Sequence, residues 1–404
     1  MLTRRAAVLG LASTACARLA RPPPLEAPLS DDARTLWRRA WAGLDPSKVI
    51  DCHVHLVGRG DGGTGCYLNP ELTQAASHPI KALRFEIYRE AAGVSDPEHD
   101  LDRQYLEVLI HRMRSQLIHG RALLLAFDQV YDEYGKPRPE LSEFHTPNDY
   151  ALKCAREHPE LFVAAASVHP LRPGAVEELH RCAEAGAVAV KWLPNAMRID
   201  PAAAYCDRFY EAMAKLGLVL LSHAGEERAV EAGEAQRLGN PLKLRRALDH
   251  GVKTVIAHCA SLGQNPDLDD PKQPWVDNFV LFTRLMEEPR WEGLLFGDVS
   301  AMPQANRAGR PLTEVLRRSE WHARLLNGSD YPLPAINVVV QTRVLKDLGY
   351  LSSRERAALN ELDRLNPLEF DFVLKRTLTA PGEPRARFAD QVFMRGDLLH
   401  TSGD

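Results

Sequence analysis

Short apolar runs recur along the chain, separated by stretches whose apolar residues fall at helical spacing. The runs are Lys48–Cys52, Arg121–Phe127, Leu161–Val168, Ala187–Trp192, Leu218–Ser222, Thr254–Ala257, Leu294–Asp298 and Leu325–Asn327. Rich in Val, Leu, Ala and Ile, they read as strands buried on both faces, as in a parallel sheet. Helical spacing lies between them at Ala175–Ala185, Ala202–Leu216 and Pro241–His250. Eight strands alternating with helices predict an α/β fold, a (β/α)₈ TIM-like barrel.

The interval after the first strand is long. It holds a glycine-rich loop, Gly58 to Gly65, and helical stretches at Pro79–Ala92 and Leu101–Gly120. An insertion there sits at the C-terminal rim of a barrel, where it builds a lid or a substrate wall. The loop lacks a following helix start and a Gly-Lys-Ser/Thr, so it reads as a flexible loop and not a phosphate cradle. Ahead of the barrel, Asp31 to Leu44 predicts a helix with Leu36, Trp37, Ala40 and Trp41 on one side and Asp31 as cap. The expected organisation is a segment 1–21, a linker and helix over 22–45, a barrel over 46–345, and a helical extension with tail over 346–404.

Composition narrows the class. The chain has 404 residues, 45% hydrophobic and 26% charged, as in a soluble globular enzyme. A formal charge of −4 leaves no basic footprint for nucleic acid. Seven cysteines are scattered without a C-x-x-C pair, which argues against a disulfide framework or a thiolate zinc site. Arg4-Arg5, the apolar stretch Ala6 to Ala15 and Ala15-Cys16-Ala17 form a signal-like segment. It is shorter than the roughly 20 residues a membrane span needs. The paired arginines indicate a twin-arginine export signal and a bacterial periplasmic destination. Lipid anchoring at Cys16 is a minor alternative, because Ser13 stands where that signal prefers leucine. No transmembrane span is expected once the signal is removed, and oligomeric assembly is left open.

The strand ends carry the chemistry. Directly after Val49-Ile50 comes Asp51-Cys52-His53-Val54-His55. Residues two apart on a strand face one way, so His53 and His55 present both imidazoles together, a common beginning of a metal site. Cys52 is expected to point opposite and take no nucleophilic part. Lys191 ends the fourth strand, His223 the fifth, His258 the sixth, and Asp330 follows the eighth. In a barrel these ends converge at one mouth. Imidazoles with a carboxylate suit Zn²⁺ first, with Mn²⁺ or Fe²⁺ as alternatives. His169 also ends a strand but reads as structural. Tyr67, Trp192, Arg198, Arg307, Arg310 and Tyr331 follow or lie near strand ends as candidate pocket residues, and arginines there favour an anionic substrate.

Asp-x-His-x-His at Asp51–His55, Gly-x-x-x-Leu-Ser-His-x-Gly at Gly217–Gly225 and Gly-Ser-Asp-Tyr-Pro at Gly328–Pro332 occur in order. In this the chain resembles the amidohydrolase superfamily, and more closely its amidohydrolase-2 branch, over roughly residues 46 to 340. The resemblance implies a metal-dependent hydrolase with His53, His55, His223 and Asp330 as ligands to one or two divalent ions. In its binuclear members a lysine such as Lys191 is carboxylated and bridges two metals, with His258 on the second. In mononuclear members the lysine stays unmodified and the histidine acts as acid or base. Asp330, His258 and Lys191 are accordingly the catalytic candidates. The expected reaction is attack of metal-activated water on an amide, lactone or ester of a small molecule. The alternative is a non-oxidative decarboxylase, a lyase of an aromatic or unsaturated carboxylic acid.

Overall fold

The computed structural model describes residues 28–96, 99–116, 120–230 and 232–399. The expected export signal over 1–21, Cys16 and the proline linker lie outside the described residues. Among the described residues, no helix is long and apolar enough to cross a membrane.

Eight parallel strands form the barrel, in simple chain order: β1 Ile50–His55, β2 Arg121–Leu125, β3 Phe162–Ala166, β4 Ala187–Trp192, β5 Val219–Ser222, β6 Thr254–Ile256, β7 Leu295–Asp298 and β8 Leu325–Leu326. Closure runs through the residues flanking β8: the Cys52 N–H donates to Asn327 O at 2.9 Å, and the His55 N–H to Tyr331 O at 3.1 Å. All eight expected strands are present, with ends displaced by no more than a few residues. β1 differs most, running on to His55 because Val54 and His55 pair with β2 and with Tyr331 in the turn after β8.

The lower lumen is filled by Ile50, Leu123, Leu125, Leu221, Val255 and Phe296. Packing side chains there makes the barrel a solid core with its polar groups confined to the C-terminal rim. A register shift between Asp51 and Val54 breaks the alternation of β1. Cys52 therefore lies in this lumen core beneath His53, and not on the opposite face as alternation predicts. Burial pushes its thiol well above its ordinary range, so it remains inert.

The insertion after β1 contains α2 (Pro79–Ala92) and α3 (Leu101–Arg114), which line the mouth. The glycine-rich loop is gathered around the buried Asp102 of α3, which accepts from the N–H groups of Arg59 and Gly60 and the hydroxyl of Thr64. Ahead of the barrel is α1 (Asp31–Trp41). Its cap is Ser30, whose Oγ accepts from Ala33 N–H at 3.1 Å, and Asp31 is the first helical residue. It packs on α4 (Ser353–Leu365) and α5 (Pro367–Thr377), with Trp41 stacked on Phe372 at 4.2 Å. The tail then crosses the barrel floor: the Ile50 N–H donates to Phe393 O, the Asn327 N–H to Val392 O, and Leu399 seals the lumen core. The stretch after residue 345 is thus stitched to β1 and β8.

Candidate active site

A cavity of about 180 Å³ opens at the C-terminal rim and is lined by His53, His55, Lys191, His223, His258 and Asp330 together. Every predicted ligand and catalytic residue reaches this one mouth. Each is delivered by a strand end whose preceding residues are pinned in the wall. On β4, Trp192 faces outward against Phe209 and Tyr210, which turns Lys191 into the lumen. On the turn after β8, Asp330 adopts φ 61°, a left-handed conformation that aspartate tolerates better than bulkier residues. Asp51 locks that turn to β1, its Oδ1 accepting from Ser329 N–H at 2.8 Å and His53 N–H at 3.1 Å. Gly328 makes the approach possible, since a Cβ there would stand 2.8 Å from the His53 Cβ.

Within the cavity the groups interlock. His53 Nδ1 donates to Asp298 Oδ2 at 2.9 Å, which leaves the Nε2 lone pair to accept from Lys191 Nζ at 3.0 Å. Asp330 Oδ1 lies 3.1 Å from His55 Nε2 and 3.5 Å from His53 Nε2. His258 follows a kink in which His258, Cys259 and Ala260 all have positive φ (55°, 49° and 48°). Three non-glycine residues in that region store roughly 1–3 kcal/mol each, and such strain gathers at working sites. The kink turns the His258 ring flat over His53, centroids 5.0 Å apart.

Three donor atoms, from His53, His258 and Asp330, fall within 4.8 Å of one another. Ligands about 2.1 Å from one ion sit a little over 3 Å apart, so the 3.5 Å between His53 and Asp330 has the scale of a coordination edge. The tight group differs from the expected set. His258 is inside it, placed there by the kink, whereas His55 and His223 stand beside it. His55 joins through Asp330. His223 faces the His258 ring at 5.4 Å, and its buried Nε2 has no hydrogen-bond partner among the described residues. An orphaned imidazole nitrogen beside two imidazoles and a carboxylate is what a cation site leaves in the protein framework, so the residues fit a divalent metal.

The electrostatics agree. Burial, the neighbouring His258 and Arg307 keep His223 well below its ordinary pKa, and burial brings His258 down to about 3. Both rings are neutral at pH 7, with lone pairs free to ligate. Burial alone would raise Asp330, yet the His258 and His53 rings and the His55 hydrogen bond hold it well below the carboxylate range. Burial lowers Lys191 against the pull of Asp298 and Asp330.

Three positioning residues go unmarked in the sequence pattern. Asp298 ends β7 just as the predicted ligands end their strands; it also accepts from His258 N–H at 2.9 Å and from Ser300. Ser300 Oγ is 2.8 Å from His258 Nδ1. Glu227, one helical turn past His223 in sequence, approaches its Nδ1 at 3.5 Å. Of the six candidate pocket residues, only Arg307 lines the cavity. Trp192 is core, and the Tyr331 hydroxyl accepts from Arg112 at 2.6 Å. Tyr67 sits in a short ribbon with His145, Arg198 follows a helix end, and Arg310 lines a separate shallow depression. His169 is structural, its Nε2 bound to Met197 O and its Nδ1 accepting from Leu171 N–H.

Residues 50–335, well over half of the chain, match the amidohydrolase family model Amidohydro_2. The chain belongs to this family. No curated protein matches it significantly. Among solved structures, it is similar to an uncharacterized TIM-barrel protein from Bordetella bronchiseptica (14% identity, 78% of this chain and 97% of that one, TM-score 0.46). It is also similar to a 4-oxalomesaconate hydratase from Rhodopseudomonas palustris (14%, 78% and 94%, TM-score 0.42). A third is a 5-carboxyvanillate decarboxylase from Sphingomonas paucimobilis (12%, 86% and 99%, TM-score 0.44). Likenesses this distant carry no argument about substrate or reaction. The family is one of metal-dependent enzymes, and in this member His53, His258 and Asp330 form a group at the barrel mouth that could hold an ion.

Proposed function

We propose that this amidohydrolase is a metal-dependent hydrolase acting on a carbonyl-type centre (an amide, lactone or ester) of a small molecule. The observation that carries the reading is Asp330: an ionised carboxylate touching two imidazoles at the floor of a cavity that admits a small molecule. His53, His258 and Asp330 would hold the ion, with His55 and His223 beside them; Zn²⁺ suits this donor set, and Mn²⁺ or Fe²⁺ are the alternatives. Such an ion supplies Lewis acidity and brings the pKa of water from 15.7 to about 7.

The chain's own part is proton handling and orientation. Asp330, ionised at neutral pH, accepts the proton of the attacking water and returns it to the leaving group. Asp298 fixes the His53 tautomer, and Ser300 aims the His258 ring. The apolar wall from α2, α3 and the β6 loop excludes bulk water from the proton path.

The test is turnover of a panel of lactones, esters and amides by chelator-stripped and metal-reloaded protein. Hydrolysis should depend on the ion, and Asp330→Asn should lower kcat by roughly 10²–10⁴-fold while more metal than activity is kept. Undiminished turnover by a metal-loaded Asp330→Asn protein defeats the assignment of the proton to this carboxylate. Oxygen-independent CO₂ release from an aromatic acid, without hydrolysis of any panel member, selects the lyase instead.

A further inference from the structure

The insertion after β1 does more than wall the cavity. Along α3, Leu101, Tyr105, Leu109 and Arg112 recur at helical spacing on one face, and all four are buried. Two of them are polar, and both reach the segments that carry the site. The Tyr105 hydroxyl donates to His55 O at 2.6 Å. Arg112 Nη1 donates to the hydroxyl of Tyr331, the residue after Asp330, at 2.6 Å. The two tyrosine rings meet edge-on, centroids 6.0 Å apart. The end of α2 joins the same node. Ala91 O accepts from Arg112 Nη1 at 3.0 Å, and Ala92 O accepts from the Tyr331 hydroxyl at 3.3 Å.

These bonds fall where the two ligand-bearing segments leave the barrel wall. His55 is the last residue of β1, and Asp330 occupies a left-handed turn beyond β8. Asp51 and the bond from His55 N–H to Tyr331 O set one segment against the other. α3 adds a third body that fixes both from the cavity side. Its two polar groups are seven residues apart, about 10 Å along the helix axis, so one rigid face serves both. The side chains they serve meet directly: His55 Nε2 and Asp330 Oδ1 stand 3.1 Å apart. Donors to a metal must lie within about 0.2 Å of their ideal places, which makes anchoring of their backbone consequential.

We propose that Tyr105 and Arg112 are positioning residues for the ion: through His55 O and the Tyr331 hydroxyl they hold the His55 imidazole and the Asp330 carboxylate in register. Neither is a ligand. The insertion is then part of the ion site, which is complete only when α3 is docked on β1 and on the turn after β8. This rests on the reading of the histidine and aspartate group as an ion site, and not on the reaction catalysed there.

Co²⁺ tests this without turnover, because its visible absorption follows the arrangement of its ligands. Metal-stripped wild type, Tyr105→Phe, Tyr331→Phe, Arg112→Met and Tyr210→Phe proteins are titrated with Co²⁺ against a chromogenic chelator, and absorption is recorded at saturation. Tyr105→Phe and Tyr331→Phe each remove one hydroxyl and keep the ring. Each should weaken Co²⁺ binding roughly 10–100-fold and alter the absorption of the bound ion. Arg112→Met breaks the same bond as Tyr331→Phe, so the double variant should bind within about threefold of the weaker single one. Should Arg112→Met fail to fold, Tyr331→Phe decides that arm alone. The control, Tyr210→Phe, removes a buried hydroxyl bonded to Pro201 O at 2.9 Å outside the cavity lining, and should match wild type in both readings. Lost stability by itself lowers the amount of folded protein without changing the absorption of the ion it binds. Wild-type affinity and absorption in either Tyr105→Phe or Tyr331→Phe, an equal change in Tyr210→Phe, or fully additive losses in the double variant each overturn the proposal. Wild type that binds no Co²⁺ sinks the ion site itself and this proposal with it. The expected shifts in a protein that hydrolyses no ester, lactone or amide sink the hydrolase reading and leave this one standing.

Discussion

Asp298 shows how much of the site rests on groups that need not touch substrate. Its two oxygens bind His53 Nδ1, the His258 backbone N–H and Ser300, so one carboxylate orients two members of the His/His/Asp group. Burial would raise its pKa, but the His53 and His258 rings hold it far below the carboxylate range, so it stays an acceptor at all working pH values. An amide in its place keeps the shape but loses the charge that fixes the His53 tautomer. Asp298→Asn should therefore weaken metal binding by roughly 10–100-fold, read by competition with a chromogenic chelator, with little change in melting temperature. Unchanged affinity would show that His53 needs no such partner. In the sequence His53, His55, His223 and Asp330 are visible because each ends an apolar run in a recognisable motif. Asp298 ends one equally well, yet no neighbouring motif distinguishes it from a simple strand terminus.

At the scale of elements, α1 and α5 are joined by a buried acid. Glu369 accepts from the indole N–H of Trp37 at 2.6 Å and of Trp41 at 3.0 Å. Burial pushes its carboxyl up to about 7 from an ordinary 4.5, despite those two donors. Asp371 on the same helix is likewise pushed up to about 7 by burial, against the pull of Lys375. The folded chain holds these protons more tightly than the unfolded one. Their contribution is complete below pH about 4, is lost as pH rises through about 7, and is flat above. The urea midpoint should fall across that window, and Glu369→Gln should remove at most about 3 kcal/mol of the fall. An identical slope in wild type and variant would refute the buried-acid description. Sequence spacing places Trp37 and Trp41 on one side of α1, but not what they meet, because Glu369 is more than three hundred residues away.

Over the whole molecule, the stretch after residue 345 supports the barrel it follows. Lys375 Nζ donates to Gly328 O, next to the turn that carries Asp330, and the tail bonds to the backbones flanking β1 and β8. A chain ending at residue 345 should leave that floor open and α1 without its partners. It should be recovered as aggregate, or show no cooperative melt by circular dichroism; a soluble, cooperatively melting truncation would make the stretch a separable domain. For the beginning of the chain we propose export, on the strength of Arg4-Arg5 and the apolar stretch after it. Substituting Lys-Lys for the pair should retain the protein in the cytoplasm on cell fractionation, whereas unchanged periplasmic recovery would count against a twin-arginine route. The strand rhythm, the barrel and the kinds of ligand at its rim were determined by sequence alone, because burial imposes a local pattern on each strand and the rim gathers whatever ends it. Which atoms meet was decided only by tertiary structure. The left-handed kink that brings His258 over His53, the register shift of β1 between Asp51 and Val54 and the Asp298 carboxylate shared by His53 and His258 depend on distances between segments far apart in the chain, which no local pattern encodes.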